Sequence, residues 1–265
     1  MPYFRSYPKS STPTPTYENY IYQIGNQGIG FNTGYIHTAN TKIVFKATLD
    51  AWVGGYCQAF GARNGNFRNN ALTFFARFNS SRFAFCRTGS ETGGTTVESD
   101  DVSSPWNMQP CIFTIDGQTA SWYREYDPST VRSITTTGLV DGGIAPLAIF
   151  GCNTSNQADG WSFTDTAFGM ILFWFEIYES DTLVHRFVPA YNNDQYCLYD
   201  EVDQTYIYDV VRSGANVRGY IEGVHITSVP TLMMSMVSPT TPEEPTESSE
   251  EEEEVIPEEP TEGET

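Results

Sequence analysis

The sequence has few basic residues and no long hydrophobic run. Its 265 residues include only 14 lysines and arginines, which are scattered singly. Binding to nucleic acid normally depends on clustered basic residues that displace counterions, so no nucleic-acid partner is expected. The most apolar run, residues 170–175, is far shorter than the roughly 20 residues that a membrane-spanning helix needs. No membrane partner is therefore expected either.

Cysteine is also scarce. Five cysteines occur, at Cys57, Cys86, Cys111, Cys152 and Cys197, and no two of them have a C-x-x-C spacing. Zinc sites of the common kind need clustered soft ligands, so the sequence predicts reduced, mostly buried thiols and no resident cofactor. The first six residues, MPYFRS, lack the apolar segment of a secretory signal peptide, which favours synthesis and folding in a host cytoplasm.

Composition predicts four segments along the chain. They are a flexible N-terminal tether (residues 1–16), a β-sandwich domain (17–222), an apolar linker or docking segment (223–240) and a disordered acidic tail (241–265). The tether is rich in Ser, Thr and Pro, which favour extended chain. The tail holds twelve glutamates and no Lys or Arg, so it accounts for most of the net charge of −19. A block of like charge repels itself and stays solvated.

A methionine-rich patch lies between the domain and the acidic tail. Residues 229–237 (VPTLMMSMV) contain the candidate docking residues Leu232, Met233, Met234 and Met236. Methionine side chains adapt to irregular surfaces, and exposed apolar patches mark contact sites. We therefore expect this patch to dock on another chain or on the domain's own outer face. The alternative is that the whole chain from residue 223 onward is disordered.

The central segment has the pattern of an all-β protein. Short apolar and aromatic runs alternate there with Gly, Asn and Asp, which favour strands and turns respectively. Residues 111–115 (CIFTI), followed by Asp116-Gly117 and residues 118–123, predict a hairpin, because glycine accepts the positive φ of a tight turn. No helix of ten or more residues is indicated.

Residues 168–178 form the longest predicted strand. Alternation with a period of two places Ile171, Phe173, Phe175 and Ile177 on one face. We expect this face to be buried, so Phe173→Ala is predicted to cost ~3–5 kcal/mol, the range for buried aromatic residues.

Four ordered blocks carry a resemblance to a known family. They are residues 19–43 (NYIYQIGNQGIGFNTGYIHTANTKI), residues 60–63 (FGAR), residues 146–153 (PLAIFGCN), and residues 175–191 (FEIYESDTLVHRFVPAY) followed by CLYD at 197–200 and Tyr206. Together they resemble the laminin-G-like/concanavalin-A-like jelly rolls found in phages of gut bacteria, including virion proteins of crAss-like phages, and in the bacterial hosts. The resemblance covers most of the chain.

The resemblance implies a two-sheet antiparallel jelly-roll β-sandwich that acts as a binding or virion-surface module. We therefore expect a non-enzymatic phage structural protein, located in the virion as a head fibre, capsid decoration or tail-associated protein. Its partners would be copies of itself in a homo-oligomer, other virion proteins, and glycans of the host or environment. One alternative is a carbohydrate-binding module of a gut bacterium, and another is a glycoside hydrolase.

One loop has the composition of a ligand site. Residues 153–161 (NTSNQADGW) place Asn153, Asn156 and Asp159, with oxygen ligands, close to Trp161, whose ring could stack on a sugar. These four residues are the candidate ligand-binding set. Calcium is a candidate ion for this loop, because related jelly rolls often hold it at a sugar-binding rim, but nothing further in the sequence supports it. The alternative is an ordinary polar loop with a tucked tryptophan.

No catalytic motif is complete. Glucanases of related fold carry an E-x-D-x-x-E strand, whereas this chain has Glu201-Val-Asp203 with Tyr206 at the sixth position, in a segment with the composition of a turn. None of its three histidines lies near a G-x-S-x-G elbow. No catalytic residue is therefore predicted. In the closing block, Arg186 and Asp200 are expected either to form a buried pair between adjacent strands or to leave the arginine exposed.

Overall fold

The computed structural model describes residues 15–24, 29–49, 56–64, 69–77, 82–89, 96–99, 109–137, 140–155, 157, 163–166, 170–211 and 220–224. The chain divides into two units, Met1–Val229 and Pro230–Thr265, and all described residues belong to the first. The acidic tail and the docking residues Leu232, Met233, Met234 and Met236 lie outside the described residues, so their roles stay predictions. Among the described residues there is no helix long and apolar enough to cross a membrane.

Twenty strands make up the regular structure of the described residues. The first ten are β1 (Thr16–Tyr17), β2 (Tyr20–Ile24), β3 (Ile29–Asn32), β4 (Thr41–Leu49), β5 (Tyr56–Asn64), β6 (Asn69–Arg77), β7 (Arg82–Arg87), β8 (Val97–Glu98), β9 (Cys111–Asp116) and β10 (Thr119–Arg124). The other ten are β11 (Asp127–Thr135), β12 (Ala148–Ile149), β13 (Gly151–Asn153), β14 (Phe163–Thr166), β15 (Met170–Glu179), β16 (Thr182–Asn192), β17 (Gln195–Asp200), β18 (Thr205–Ile207), β19 (Asp209–Val211) and β20 (Tyr220–Val224).

The strands form two sheets, and the chain passes repeatedly between them. Sheet A has the order β11-β10-β9-β4-β15-β16-β17-β18, with β1 beside β16 and β2 between β15 and β20. Sheet B has the order β19-β3-β12-β5-β6-β7-β8, with β13 beside β5 and β14 beside β13. The pairings are antiparallel except for a short parallel one between β13 and β5. The first and last strands, which begin at Thr16 and end at Val224, slightly overrun the predicted domain limits.

Aromatic rings from both sheets meet in one core. Phe45 of sheet A stacks on Phe113 at 4.7 Å between ring centroids and lies 5.5 Å from Phe175 in the same sheet. Across the sandwich it contacts Phe60 and Phe74 of sheet B at 5.6 and 6.0 Å. The two faces therefore interdigitate as in other β-sandwiches. The predicted all-β, two-sheet antiparallel jelly-roll β-sandwich is confirmed.

The predicted hairpin is confirmed as the pair β9–β10. Asp116 is paired with Thr119, so Gly117 and Gln118 form a two-residue turn. Gly117 has φ +53°, and a type II′ turn requires a positive φ at this first central position.

The predicted buried face of β15 is confirmed for Phe175 and Ile177 and is wrong for Phe173, because the strand contains a bulge. Its register against β4 shifts between Leu172 and Trp174, so Phe173 is an extra residue on this strand. The extra residue reverses the alternation, and Leu172 and Phe175 both point into the core. Phe173 lies instead on the outer face, where its ring packs 5.7 Å from Tyr20 and under the ammonium of Lys46 at 4.7 Å.

Two cysteines illustrate the state of the thiols. Cys111 and Cys197 are buried and form no disulfide, and burial raises the pKa of each thiol to about 12. Such thiols stay protonated and unreactive near neutral pH. At these two positions the expectation of reduced, buried thiols agrees with the structure.

Candidate functional site

Tyrosine rings cover part of sheet A on the face that points away from the core. Tyr199 and Tyr206 are directly paired on β17 and β18, with ring centroids 4.9 Å apart. Tyr17 of β1 meets Tyr199 edge-on at 6.2 Å, and Tyr208 stacks beside Tyr206 at 6.5 Å. We call these four residues the tyrosine surface. Strand alternation explains it, because Leu198 and Ile207 between these tyrosines point into the core.

The rings of the tyrosine surface differ in how much they expose. Tyr199 is buried beneath its neighbours at 6% exposure, whereas Tyr17 is 44% exposed. Tyr206 and Tyr208 are half-buried. The result is a cluster of rings that meet edge-on, tilted or stacked, with Tyr199 buried and the other three rings partly open to water.

Polar groups border the tyrosine surface. The side-chain amides of Asn192 and Asn193 donate hydrogen bonds to the Tyr208 hydroxyl at 2.6 and 3.0 Å. The pKa of the Tyr17 hydroxyl is raised, first by burial and then by the carboxylate of Glu201, to which it is hydrogen-bonded. Amide and carboxylate groups therefore lie at the edge of an apolar, aromatic area. This is the combination that binds ligands with both apolar faces and hydroxyl groups.

A second group of side chains lies at the rim of the sandwich, where β17 runs into the turn before β18. The Nδ1 atom of His185 is 2.7 Å from Asp200 Oδ2 and 3.6 Å from Asp203 Oδ2. The His185 ring stacks on Phe187 at 5.5 Å and meets the edge of Tyr35 at 5.6 Å. We call His185, Asp200 and Asp203 the rim cluster.

Asp200 is the buried member of the rim cluster. Its side chain is 3% exposed, and its Oδ1 atom accepts backbone hydrogen bonds from Arg186 at 3.1 Å and Val202 at 3.0 Å. Burial acts to raise the pKa of Asp200, but the hydrogen bonds from His185 and the two backbone amides outweigh it, so the pKa lies below its usual range. Asp200 is therefore ionised at neutral pH.

The side chain of Arg186 does not pair with Asp200, so of the two arrangements that the sequence left open, the exposed arginine is the one found. Neighbouring residues on a strand point to opposite faces. His185 therefore reaches Asp200 on the core side, while the Arg186 guanidinium, 43% exposed, lies 3.1 Å from Glu176 and 2.9 Å from Glu201 on the outer side. Only the backbone amide of Arg186 contacts Asp200.

Glu179 lies near the rim cluster and is fully engaged. It accepts hydrogen bonds from the hydroxyls of Tyr35 at 2.6 Å, Thr38 at 2.7 Å and Thr41 at 3.3 Å. Burial acts to raise the pKa of Glu179, but these three hydroxyls together lower it. Burial, and after it the hydrogen bond to Glu179, raise the pKa of Tyr35 to about 12. Glu179 is thus an ionised carboxylate that anchors the loop before β4, and it is not a proton donor.

A buried arginine supports this end of the sandwich. Arg87, at the end of β7, is 1% exposed and donates to the carbonyls of Thr38, Ala39, Thr41 and Gly117 at 2.9–3.0 Å. It ties sheet B to the loop before β4 and to the β9–β10 turn of sheet A. Burial lowers the pKa of Arg87 to about 10, so it remains charged at neutral pH.

The predicted ligand loop is described only at its start. Asn153 is fully buried, its side-chain amide donates to the Pro146 carbonyl at 3.0 Å, and its Oδ1 accepts from the Ser155 amide at 3.1 Å. These contacts give Asn153 a structural role at the base of the loop. Asn156, Asp159 and Trp161 lie outside the described residues, so ligand binding by this loop stays a prediction.

Comparison with known proteins gives a likeness of fold and nothing finer. No family model and no curated protein matches this chain. One similar solved structure is the Ruminococcus gnavus IT-sialidase CBM40 bound to alpha2,3 sialyllactose, with 6% identity, a TM-score of 0.36, and 61% of this chain and 91% of that chain covered. Another is the native heptameric SAP-like pentraxin from Limulus polyphemus, with 8% identity, a TM-score of 0.39, and 76% and 98% covered.

Sequence reasoning missed both the tyrosine surface and the rim cluster. A signal for the second was present in the β16–β17 hairpin, whose turn is Asn193-Asp194. Counting outward from that turn pairs Phe187 with Asp200. His185, two residues further along β16, then lies beside the turn that follows β17, which carries Asp203. The sequence alone does not fix which residue pair begins the hairpin, so it does not show that His185 and not Arg186 faces Asp200.

Proposed function

We propose that this chain is a non-enzymatic glycan-binding jelly-roll module and that the tyrosine surface is its binding face. The observation that carries the proposal is the row of tyrosine rings on the outer face of sheet A, with Asn192, Asn193 and Glu201 at its edge. Sugar rings have apolar C–H faces that pack on aromatic rings, and hydroxyls that bond to amides and carboxylates. Tyrosine supplies such contact area at a low cost in conformational entropy.

Neutral glycans fit this face better than acidic ones. Glu201 contributes negative charge at its border, and the nearest described guanidinium, that of Arg186, already lies between Glu201 and Glu176. The chain outside the acidic tail is also acidic, because only twelve of the nineteen net negative charges lie in residues 241–265. Like charges repel, which disfavours sulfated, phosphorylated or sialylated ligands.

The state of the carboxylates supports binding rather than hydrolysis. Glycoside hydrolysis requires two carboxyl groups, one of which has a raised pKa and acts as the acid. In the described residues, Glu179 and Asp200 have lowered pKa values and are hydrogen-bonded by several donors. Glu201 and Asp203, which match two of the three positions of the glucanase pattern, lie in the turn after β17 and face Arg186 and His185 respectively.

For the biological setting we propose a phage virion, in which the module is displayed as a head fibre, capsid decoration or tail-associated protein. The support is the sequence resemblance described above. Mass spectrometry of purified particles is expected to find this chain in stoichiometric amounts, and labelled antibodies are expected to locate it on the head or tail by electron microscopy. Its absence from intact particles would favour the alternative of a carbohydrate-binding module of a gut bacterium.

A glycan array probed with the full chain tests the binding function. We expect saturable binding to neutral glycans, and Tyr17→Ala and Tyr206→Ala are each expected to weaken it about tenfold, as removal of an aromatic anchor does. Tyr126→Ala is the matched control, because Tyr126 is 62% exposed but lies in the turn between β10 and β11. Trp161→Ala tests the predicted loop in the same assay.

Two results would contradict the proposal. If no neutral glycan binds, the module has another role. If Trp161→Ala abolishes binding while Tyr17→Ala and Tyr206→Ala have no more effect than Tyr126→Ala, the glycan site is the loop and not the tyrosine surface. Thermal unfolding of each variant shows whether a loss of binding reflects loss of folding.

A further inference from the structure

We propose that His185, Asp200 and Asp203 form a binding site for one divalent transition-metal ion of the zinc class. Each residue offers one ligand atom, and the three atoms lie within 4.8 Å of one another. They come from β16, from the end of β17 and from the turn after β17. The proposal concerns the rim of the sandwich and does not depend on glycan binding.

The donor set selects the class of ion. Zinc is held by imidazole nitrogen at about 2.0–2.1 Å and by carboxylate oxygen at about 2.0–2.2 Å, often with three protein ligands and a water in the fourth position. Calcium prefers six to eight oxygen ligands, which one imidazole and two carboxylates do not supply. Three protein ligands of this mixed type therefore fit a borderline ion such as zinc.

Two of the three ligands are held in place by contacts that need no metal. The His185 ring is fixed by the stack on Phe187 and by the edge of Tyr35. Asp200 is fixed through Oδ1 by the backbone amides of Arg186 and Val202, which leaves Oδ2 directed at the imidazole. Supports of this kind orient metal ligands and strengthen binding. The conformational cost of assembling the site therefore falls mainly on Asp203.

Asp203 is placed to complete the site. Its side chain is 57% exposed, and its Oδ2 atom is 3.6 Å from His185 Nδ1, which is too long for a hydrogen bond. A small movement of an exposed side chain would bring it into the first coordination sphere. The exposure also leaves an entry path for the ion.

Charge favours a cation between these groups. Two carboxylates, Asp200 and Asp203, converge on one imidazole. The neighbouring guanidinium of Arg186 is directed to the opposite face, where Glu176 and Glu201 flank it. A divalent ion would balance both aspartates and would displace the proton that otherwise lies between His185 Nδ1 and Asp200 Oδ2. The simpler alternative is a purely structural His185–Asp200 hydrogen bond, with Asp203 near it by chance.

Titration calorimetry with zinc chloride, using the full chain after chelator treatment, separates these two explanations. We expect one zinc equivalent to bind. Loss of a group that only supports a metal ligand lowers metal affinity roughly 10–100-fold, so Asp203→Asn, which removes a ligand, is expected to lower zinc affinity by at least that factor. Asp194→Asn is the matched control, with the same loss of charge at an exposed turn position whose φ of +60° asparagine tolerates. It is expected to bind zinc as the original chain does.

Thermal unfolding gives a second readout. Zinc that binds only the folded state raises the melting temperature by mass action, so the shift should occur in the original chain and in Asp194→Asn, and be lost in Asp203→Asn. Because Asp203 is exposed, this variant is expected to fold. Weak zinc binding at many sites that Asp203→Asn leaves unchanged would show binding by the acidic tail and would overturn the proposal. Tighter binding of calcium than of zinc would overturn the assigned class of ion.

Discussion

Phe173 and Phe175 lie two residues apart in β15, and regular alternation would give them the same surroundings. The bulge instead places the two side chains on opposite faces of the sheet. Phe175 is fully buried and packs on Phe45 and Phe60 at 5.5 and 5.4 Å. Phe173 is half-buried on the outer face, against Tyr20 and Lys46. Truncating each to alanine therefore tests the bulge directly.

The two truncations are expected to differ severalfold in their effect on the free energy of unfolding. Phe175→Ala leaves a cavity in a core built from both sheets and should cost ~3–5 kcal/mol. Phe173→Ala removes one aromatic edge contact and one cation–π contact at a hydrated surface, and should cost about 1–2 kcal/mol. This lower value replaces the prediction made from alternation alone.

Urea unfolding followed by tryptophan fluorescence and by circular dichroism measures the difference. Each variant should change the midpoint and leave the slope with denaturant unchanged, which shows that native stability is what has altered. Equal losses for the two variants, or a larger loss for Phe173→Ala, would refute the bulge and restore the regular strand.

Two further predictions concern the support beneath the rim. Arg87→Lys is expected to cost about 2–4 kcal/mol, because one ammonium cannot reach the four carbonyls that the guanidinium binds, whereas Arg82→Lys on the exposed end of β7 should change stability by less than about 0.5 kcal/mol. Similar urea midpoints for the two variants would contradict this. His37 is buried, neither ring nitrogen has a hydrogen-bond partner in the described part of the chain, and burial and then Arg87 lower its pKa to about 3. In the unfolded chain the His37 imidazole takes up a proton near pH 6.5, whereas in the folded chain it does so only near pH 3. The free energy of unfolding therefore decreases as the pH falls from about 6.5 towards 3, by roughly 5 kcal/mol in all. His37→Phe should remove that part of the acid sensitivity, and equal acid loss in the variant would show that His37 is not its source.

Local patterns were sufficient for the β class and for individual hairpins. The turn that begins at Gly117 was predictable because a tight turn requires a backbone conformation that few residues other than glycine adopt. The apolar runs around it could be assigned to strands because each run is short and is bounded by turn residues. These features depend on neighbours in sequence, so the sequence reveals them.

The faces of β15 and the partner of Asp200 could not be read in the same way. A bulge depends on how one strand matches the length and register of the next, and nothing in the residues around Phe173 marks it. Asp200 is paired with Phe187, and Arg186 and His185 follow outward on the same strand. Which of their side chains meets Asp200 depends on the face of the sheet that each side chain occupies.

The amino-acid sequence by itself determined an all-β chain with an acidic segment and the position of the β9–β10 turn, because spacing and turn chemistry act over a few residues. Only the tertiary structure decided that tyrosines from β1, β17 and β18 share one face and that His185 meets Asp200 and Asp203 at the rim. Pairing between strands brings distant residues together, and a shift of one position in the register sends a side chain to the opposite face of the sheet.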